Sequence, residues 1–349
     1  MNNRHPRSAV LTGVGSWLPP ETVTNADLEA VLDTDDAWIR TRTGIASRRR
    51  VSPDMATSDL AVEAGRRALA SAGGPPADAV VLATSTPDRL CPATAPDVAS
   101  RLGLPDVAAY DVSAVCSGFL YGLASAAGLI ATGTADRVLL IAAEAFTTLI
   151  DPKDRTTAVL FGDGAGAVVL RAGHPDEPGA VGPLVLGSDG SGKELLSVPG
   201  GGSLRREPSD RHPRHVLMPE GAKLYRHAVA RMTAASRTAL ERAGWQPGDV
   251  DRLVTHQANA RINTALGDAL EVPVDRRATN IERVGNTAGA SIPLLLDEEH
   301  RSGVLTAGQR VLIAGFGAGL SWGATTLVWP SLRSSAAESP LPAPVAHAV

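Results

Sequence analysis

Two rhythms of apolar residues alternate along the chain. Short continuous runs at 79–83, 138–142 and 165–170 predict buried strands, and the alanine-rich stretches between them carry apolar residues at helical spacing. Residues 58–72 predict one such helix, with Leu60, Ala61, Ala64, Ala68 and Leu69 on one stripe and Arg66 and Arg67 facing water. Alternation of this kind predicts a layered α/β architecture. The pattern also repeats: "ADRVLLIAAEA" from Ala135 echoes "GQRVLIAGFGAG" from Gly308, and "ADAVVLATST" from Ala77 echoes "VDRLVTHQAN" from Val250. An internal duplication follows, with halves at 1–179 and 180–330. The Gly-, Pro-, Ser- and Arg-rich stretch 182–221 reads as a connection with a long surface loop, and residues 331–349, without apolar period, read as a mobile tail.

A chain of 349 residues is too long for a small module, and 44% apolar with 20% charged residues is ordinary for a folded chain. Net charge is −4, from 33 basic and 37 acidic residues with no long block of either sign, which argues against nucleic acid or anionic lipid as the main partner. Residues 112–135 carry no charge over a length that could cross a bilayer, but Ser113, Ser117, Ser125, Thr132, Thr134 and several glycines weaken that hydropathy. They read better as strand, turn and buried helix, with no membrane partner. Two cysteines cannot make a disulfide framework, and the amino terminus lacks a signal-peptide core, so the expected setting is a reducing cytoplasm.

One of those cysteines stands where chemistry is expected. In "AAYDVSAVCSGFLYGLASAAGLIATG" a strand leads into Cys116 and then into a helix reaching about Thr132. Unpaired N–H groups at a helix start favour thiolate, making Cys116 a candidate nucleophile. A lone intracellular cysteine is more commonly a small buried hydrophobe. Two other segments shift that balance. His256 ends a strand-like run in "THQANARI", and Asn286 sits in a glycine-flanked turn in "ERVGNTAGASIP". Gln257 and Asn259 read as supports of the histidine loop. No cluster has metal-ligand spacing, and neither the "GVG" at Gly13 nor "GDGAG" at 162–166 has dinucleotide-binding spacing, so neither metal nor redox cofactor is expected.

The segments "NADLEAVLDTDDAWIRTRTGI", "DVSAVCSGF", "DPKDRTTAVLFGDGAGAVVL", "HQANARI", "GNTAGASIP" and "FGAGLSWG", in this order, resemble the β-ketoacyl-acyl-carrier-protein synthase III family from about Ala9 to Trp329. The resemblance implies the thiolase fold: two βαβαβαββ halves in a five-layered αβαβα sandwich, usually a homodimer. It implies acyl transfer from coenzyme A to Cys116, then decarboxylation of malonyl-acyl-carrier-protein and attack of the resulting carbanion on the acyl-enzyme. The backbone N–H groups of Cys116 and Ala318 match the oxyanion hole, where glycine is more usual than Ala318. His256 and Asn286 match the donors that stabilise the enolate; an amide suits that role because a carboxylate would repel the charge. Trp38, Arg42, Arg155 and Asn259 match coenzyme A contacts, and Arg226 and Arg261 match basic positions for an acidic carrier protein. At Cys91 straight-chain members carry phenylalanine, placed across the dimer at the end of the acyl pocket; the smaller side chain implies a broader starter range. Phe316 and Leu320 are further candidates for lining that pocket.

Other readings share parts of this pattern. A degradative thiolase needs a second cysteine near the carboxy-terminal glycine loop, and none lies in 315–323. A type III polyketide-synthase-like enzyme shares Cys, His and Asn, but the "HQANARI" segment and shorter chain count against it. A non-condensing acyl-CoA acyltransferase of specialised metabolism would keep the same residues. Papain-like hydrolases also run Cys, His, Asn in chain order, though their cysteine neighbourhood is missing here.

Overall fold

A computed structural model describes residues 7–211 and 213–333. The amino-terminal six residues and most of the tail expected to be mobile, 334–349, lie outside the described residues. Strands run over Ser8–Trp17 (β1), Glu21–Thr24 (β2), Ser47–Arg50 (β3), Ala79–Ala83 (β4), Ala108–Val112 (β5), Arg137–Glu144 (β6), Gly164–Gly173 (β7), Val185–Ser188 (β8), Arg252–Thr255 (β9), Arg310–Gly317 (β10) and Ser321–Val328 (β11). Helices occupy Asn25–Glu29 (α1), Asp36–Thr43 (α2), Thr57–Ala72 (α3), Ala95–Arg101 (α4), Gly118–Thr132 (α5), Arg155–Ala158 (α6), Gly221–Ala243 (α7), Ala260–Ala269 (α8), Ile281–Val284 (α9) and Ser291–Arg301 (α10).

The strands form two large sheets of matching topology, ordered β1-β7-β6-β4-β5 and β8-β11-β10-β9, plus the small hairpin β2-β3. In each sheet two parallel neighbours, β4 with β6 and β9 with β10, are followed by an antiparallel pair, β6 with β7 and β10 with β11. The fifth strand of the first sheet, β5, has only a parallel bridge between Leu253 and Arg277 as its counterpart. The duplication heard in the sequence is thus a repeated sheet.

Helices α5 and α10 fill the layer between the sheets, where Leu120, Leu123 and Ile130 meet Ile292, Leu295 and Leu296. Helix α3 covers the outer face of the first sheet and α7 that of the second, completing five layers of the thiolase fold. Central strand β6 is buried throughout because helices cover both its faces, which is why it reads as an unbroken apolar run. The uncharged stretch considered as a membrane span is the core helix α5, ended by Gly133 in the left-handed region at φ 75°. Helix α3 buries Leu60, Ala61, Ala64 and Ala68 as expected, while Leu69 is only half-buried and Arg67 reaches back to donate to the Ser16 carbonyl at 2.7 Å.

Candidate active site

Cys116 lies on the single turn Val115–Ser117 that joins β5 to α5. Val115 is held at φ 46°, a left-handed conformation that is unusual for a β-branched residue and costs about 1–3 kcal/mol. The surrounding contacts must therefore fix the turn. Ser117 Oγ donates to the Ala114 carbonyl at 2.8 Å and meets Ser321 Oγ at 2.6 Å, and Ser321 Oγ donates to the Ala318 carbonyl at 3.1 Å. These bonds tie the Ala318 loop to the cysteine turn. Gly317 comes so close that a β-carbon there would sit 2.8 Å from the Cys116 nitrogen, which explains glycine at that position.

His256 follows β9, its N–H donating to the Ala314 carbonyl of β10 at 2.9 Å. Its Nδ1 is 2.7 Å from Ser291 Oγ, which also accepts the Gln257 N–H at 3.3 Å. Ser291 Oγ accepts from Gln257 and keeps its own proton to give to Nδ1; in that tautomer Nε2 carries the ring proton. Burial pushes the imidazole down to about 3, so the ring is neutral near pH 7. Gln257 is fully buried, donating to the Thr255 carbonyl at 2.9 Å and accepting from Thr279 Oγ1 at 3.1 Å, so it braces the loop. Asn286 Oδ1 accepts the Ala288 N–H at 2.9 Å, which leaves its Nδ2 as the donor available elsewhere.

Cys116, His256 and Asn286 line one cavity of about 590 Å³, together with Phe316, Ala318, Arg42, Asn259, Arg226 and Arg261. The three come from both halves of the chain. Asn259 caps α8 through the Arg261 N–H and donates to the Arg42 carbonyl at 3.0 Å, joining α8 to α2 at the mouth. Trp38 and Arg155 stand beside the mouth rather than among the lining residues; the guanidiniums of Arg42 and Arg155 lie 5.1 and 4.9 Å from the Trp38 ring centre.

Three expectations need correction. The helix start does not hold Cys116 as a standing thiolate: burial and the nearby Glu144 push the thiol up, and a backbone hydrogen bond offsets this only in part. The resting group is a thiol. Leu320 lines no part of the cavity; it is buried with the α7 face of the second sheet and packs against Gly192. Cys91 is exposed and lines no part of its own chain's cavity, and the role expected of it belongs to a partner's pocket across a dimer. The stretch 182–221 also does more than connect. Leu196 and Met218 from it wall the cavity, and Leu196 and Val216 pack with Cys116, Phe146 and Phe161. Phe146 and Phe161, with ring centres 4.6 Å apart, were not singled out from the sequence. Only Phe161 carried a signal, as part of "VLFGDGAG". Among the described residues no group of three or more His, Cys, Asp or Glu could hold a metal ion.

Comparison with known proteins gives a consistent answer. Residues 110–190 match the family model for 3-oxoacyl-[acyl-carrier-protein] synthase III, and residues 240–329 match the model for its C-terminal part. The chain is 56% identical over 331 residues to β-ketoacyl-[acyl-carrier-protein] synthase III 3 of Streptomyces coelicolor, covering 93% of this chain and 98% of that one. It is 49% identical over 327 residues to β-ketoacyl-[acyl-carrier-protein] synthase III of Pseudomonas aeruginosa, covering 94% and 98%. Among solved structures, 3-oxoacyl-(acyl carrier protein) synthase III from Pseudomonas aeruginosa superimposes with a TM-score of 0.88 at 48% identity, covering 93% of this chain and 99% of that one. The priming β-ketosynthase of the R1128 polyketide pathway does so with a TM-score of 0.88 at 39% identity, covering 95% and 99%.

Proposed function

The chain belongs to the 3-oxoacyl-[acyl-carrier-protein] synthase III family, and from that premise we infer that it condenses an acyl-CoA starter with malonyl-acyl-carrier-protein through an acyl-cysteine. Cys116 sulfur attacks the acyl thioester carbonyl, coenzyme A leaves as its thiol, and the acyl group remains on sulfur. The backbone N–H groups of Cys116 and Ala318 take the oxyanion of that step. Malonyl-acyl-carrier-protein then loses carbon dioxide. Its enolate attacks the acyl carbonyl, and the sulfur leaves and takes up a proton from solvent as 3-oxoacyl-acyl-carrier-protein departs.

One observation carries this reading. The imidazole and the amide line the cavity that holds the thiol, the amide oxygen is spent on the Ala288 N–H, and Ser291 donating to Nδ1 leaves the imidazole, like the amide, with an N–H to give. Two neutral donors beside a sulfur suit a developing enolate. The apolar wall of Leu160, Phe161, Leu196 and Phe316 disfavours a carboxylate and so favours its loss as carbon dioxide. This chemistry needs no metal or redox cofactor.

Substrate contacts complete the proposal. Arg42 and Asn259 hold the pantetheine and phosphates at the mouth, Trp38 stacks on adenine, and Arg155 serves its charged portion. Exposed Arg226 and Arg261 meet the acidic carrier protein. The protein acts as a cytoplasmic homodimer in fatty-acid or polyketide initiation, divided near Gly179 into a nucleophile half and a His/Asn half. In the dimer, exposed Cys91 closes the partner's acyl pocket, and its small volume admits starters beyond acetyl.

Incubation of the purified protein with mixed acyl-CoAs should add acyl mass to Cys116, and malonyl-acyl-carrier-protein should then release carbon dioxide. Loading without carbon dioxide release points to a non-condensing acyltransferase. Turnover of isobutyryl- or hexanoyl-CoA should rival that of acetyl-CoA; strict acetyl preference removes the role given to Cys91.

A further inference from the structure

Glu144 is the last residue of β6, and its side chain is fully buried although the steps above make no use of it. Three neutral donors converge on its carboxylate, the Ser85 N–H at 3.0 Å, Ser85 Oγ at 3.1 Å and Thr86 Oγ1 at 3.2 Å, and the Gly289 N–H adds a weaker electrostatic pull. Burial outweighs the pull of these donors and raises the carboxyl to about 7. A charged group kept in such a place, where it also disfavours ionisation of the neighbouring nucleophile, calls for a reason.

The repeat supplies it. Gly317 ends β10 as Glu144 ends β6, and Gly289 follows Ala288 at φ 44° as Cys116 follows Val115 at φ 46°. Gly289 is therefore the counterpart of Cys116, and its N–H is the counterpart of an oxyanion donor. In the first site that N–H awaits a substrate oxygen; in its counterpart the Glu144 carboxyl group lies against the turn. Gly289 also packs tightly there, for a β-carbon would meet Glu144 Oε1 at 3.0 Å and the Val115 carbonyl at 2.9 Å. Asn286 stands three residues before Gly289 in the same turn, whose strained Ala288 must be held by its surroundings.

We propose that Glu144 is a positioning residue, whose carboxyl group occupies the counterpart of the oxyanion hole and holds the Asn286 turn against the Cys116 turn. It touches no substrate. Its effect reaches the reaction through the aim of the Asn286 amide, and so falls on malonyl decarboxylation rather than on acyl loading.

This inference rests on the proposed condensation, and its test uses E144Q in the full chain, with both half-reactions read separately. Glutamine keeps the volume but offers one acceptor oxygen where the Ser85 and Thr86 donors use two. Carbon dioxide release from malonyl-acyl-carrier-protein should slow at least tenfold in kcat, with KM within about twofold. Acylation by the acyl-CoA that loads the unmodified protein fastest should be unchanged or faster, because a negative charge beside the thiol is gone. A merely structural role depresses both rates together, so equal losses, or both rates within twofold of the unmodified protein, overturn the proposal. Should E144Q not fold, Ser85→Ala removes one donor and must slow carbon dioxide release about threefold without slowing loading; unchanged release then overturns it. The unmodified protein read alongside separates the two ideas: if it shows neither half-reaction the condensation reading falls, whereas an active protein with an indifferent variant removes only the role of Glu144.

Discussion

The two halves of the chain share one backbone plan and divide the chemistry between them. Register aligns them: the Asp78 N–H donates to the Arg137 carbonyl as the Asp251 N–H does to that of Arg310. Five residues on from these aspartates, the first half has Ala83 and the second has His256. Helix α5 opens with Gly118 where α10 opens with Ser291. A β-carbon on Gly118 would lie 3.3 Å from that of Ala83, whereas in the second half the same two positions carry the Ser291–His256 hydrogen bond. Conversely, Cys116 in the first half faces Gly289 in the second. The halves thus share the turns and differ in which position carries a reactive residue and which a small one. The lesson is that the scaffold provides two matched turns, and that chemistry needs them to differ.

Variants that make the halves alike test this most directly. Cys116→Ala leaves the repeat without a nucleophile; acyl loading measured by mass should vanish, with condensation down by at least about four orders of magnitude. Next is His256→Ala, which gives the second half the first half's residue. Carbon dioxide release should fall about 10²–10³-fold, the loss expected for one preorganised donor. Asn286→Asp should still load acyl groups while decarboxylation drops about 10²-fold; equal loss in both half-reactions would break the division of labour.

Smaller effects sharpen the picture. The folded chain holds His256 near 3 against an ordinary 6.5, so between those values the unfolded chain binds a proton that the folded one refuses. That contribution is complete above pH 6.5 and declines as pH falls towards 3, by about 2 kcal/mol at pH 5. Glu144, raised from 4.5 to about 7, works in the opposite direction over its own range. Urea midpoints at pH 5 and 7.5 should therefore be compared between the unmodified protein and His256→Ala, where the difference isolates the histidine. Least of all, Ser291→Gly restores the first half's residue at the helix start and removes the Nδ1 partner; carbon dioxide release should slow about five- to tenfold, one hydrogen bond's worth.

Much of this was legible in the chain itself. Strand β4 stands at the residues expected from its apolar run, because an inner strand covered on both faces must be buried along its whole length. The echo between "RVLLIAAE" and "RVLIAGFG" announced a repeated sheet for the same reason. Local sequence also marked the strand-to-helix turn of Cys116 and the glycine-flanked turn of Asn286, since turn chemistry is written in neighbouring residues.

What the sequence could not decide is everything that depends on which distant groups surround a side chain. A thiol at a helix start looked ready to ionise, but the fold buried it beside Glu144, twenty-eight residues away, and reversed the expectation. Leu320 reads like a pocket residue beside Ala318, yet its side chain packs beneath α7 against Gly192 and off the cavity wall. The Gly- and Pro-rich connection has no apolar period, and only tertiary packing shows Leu196 and Met218 walling the cavity. Periodicity records which face of an element is apolar; desolvation and alignment of donors arise only when separate elements meet, and those are the terms that make a site.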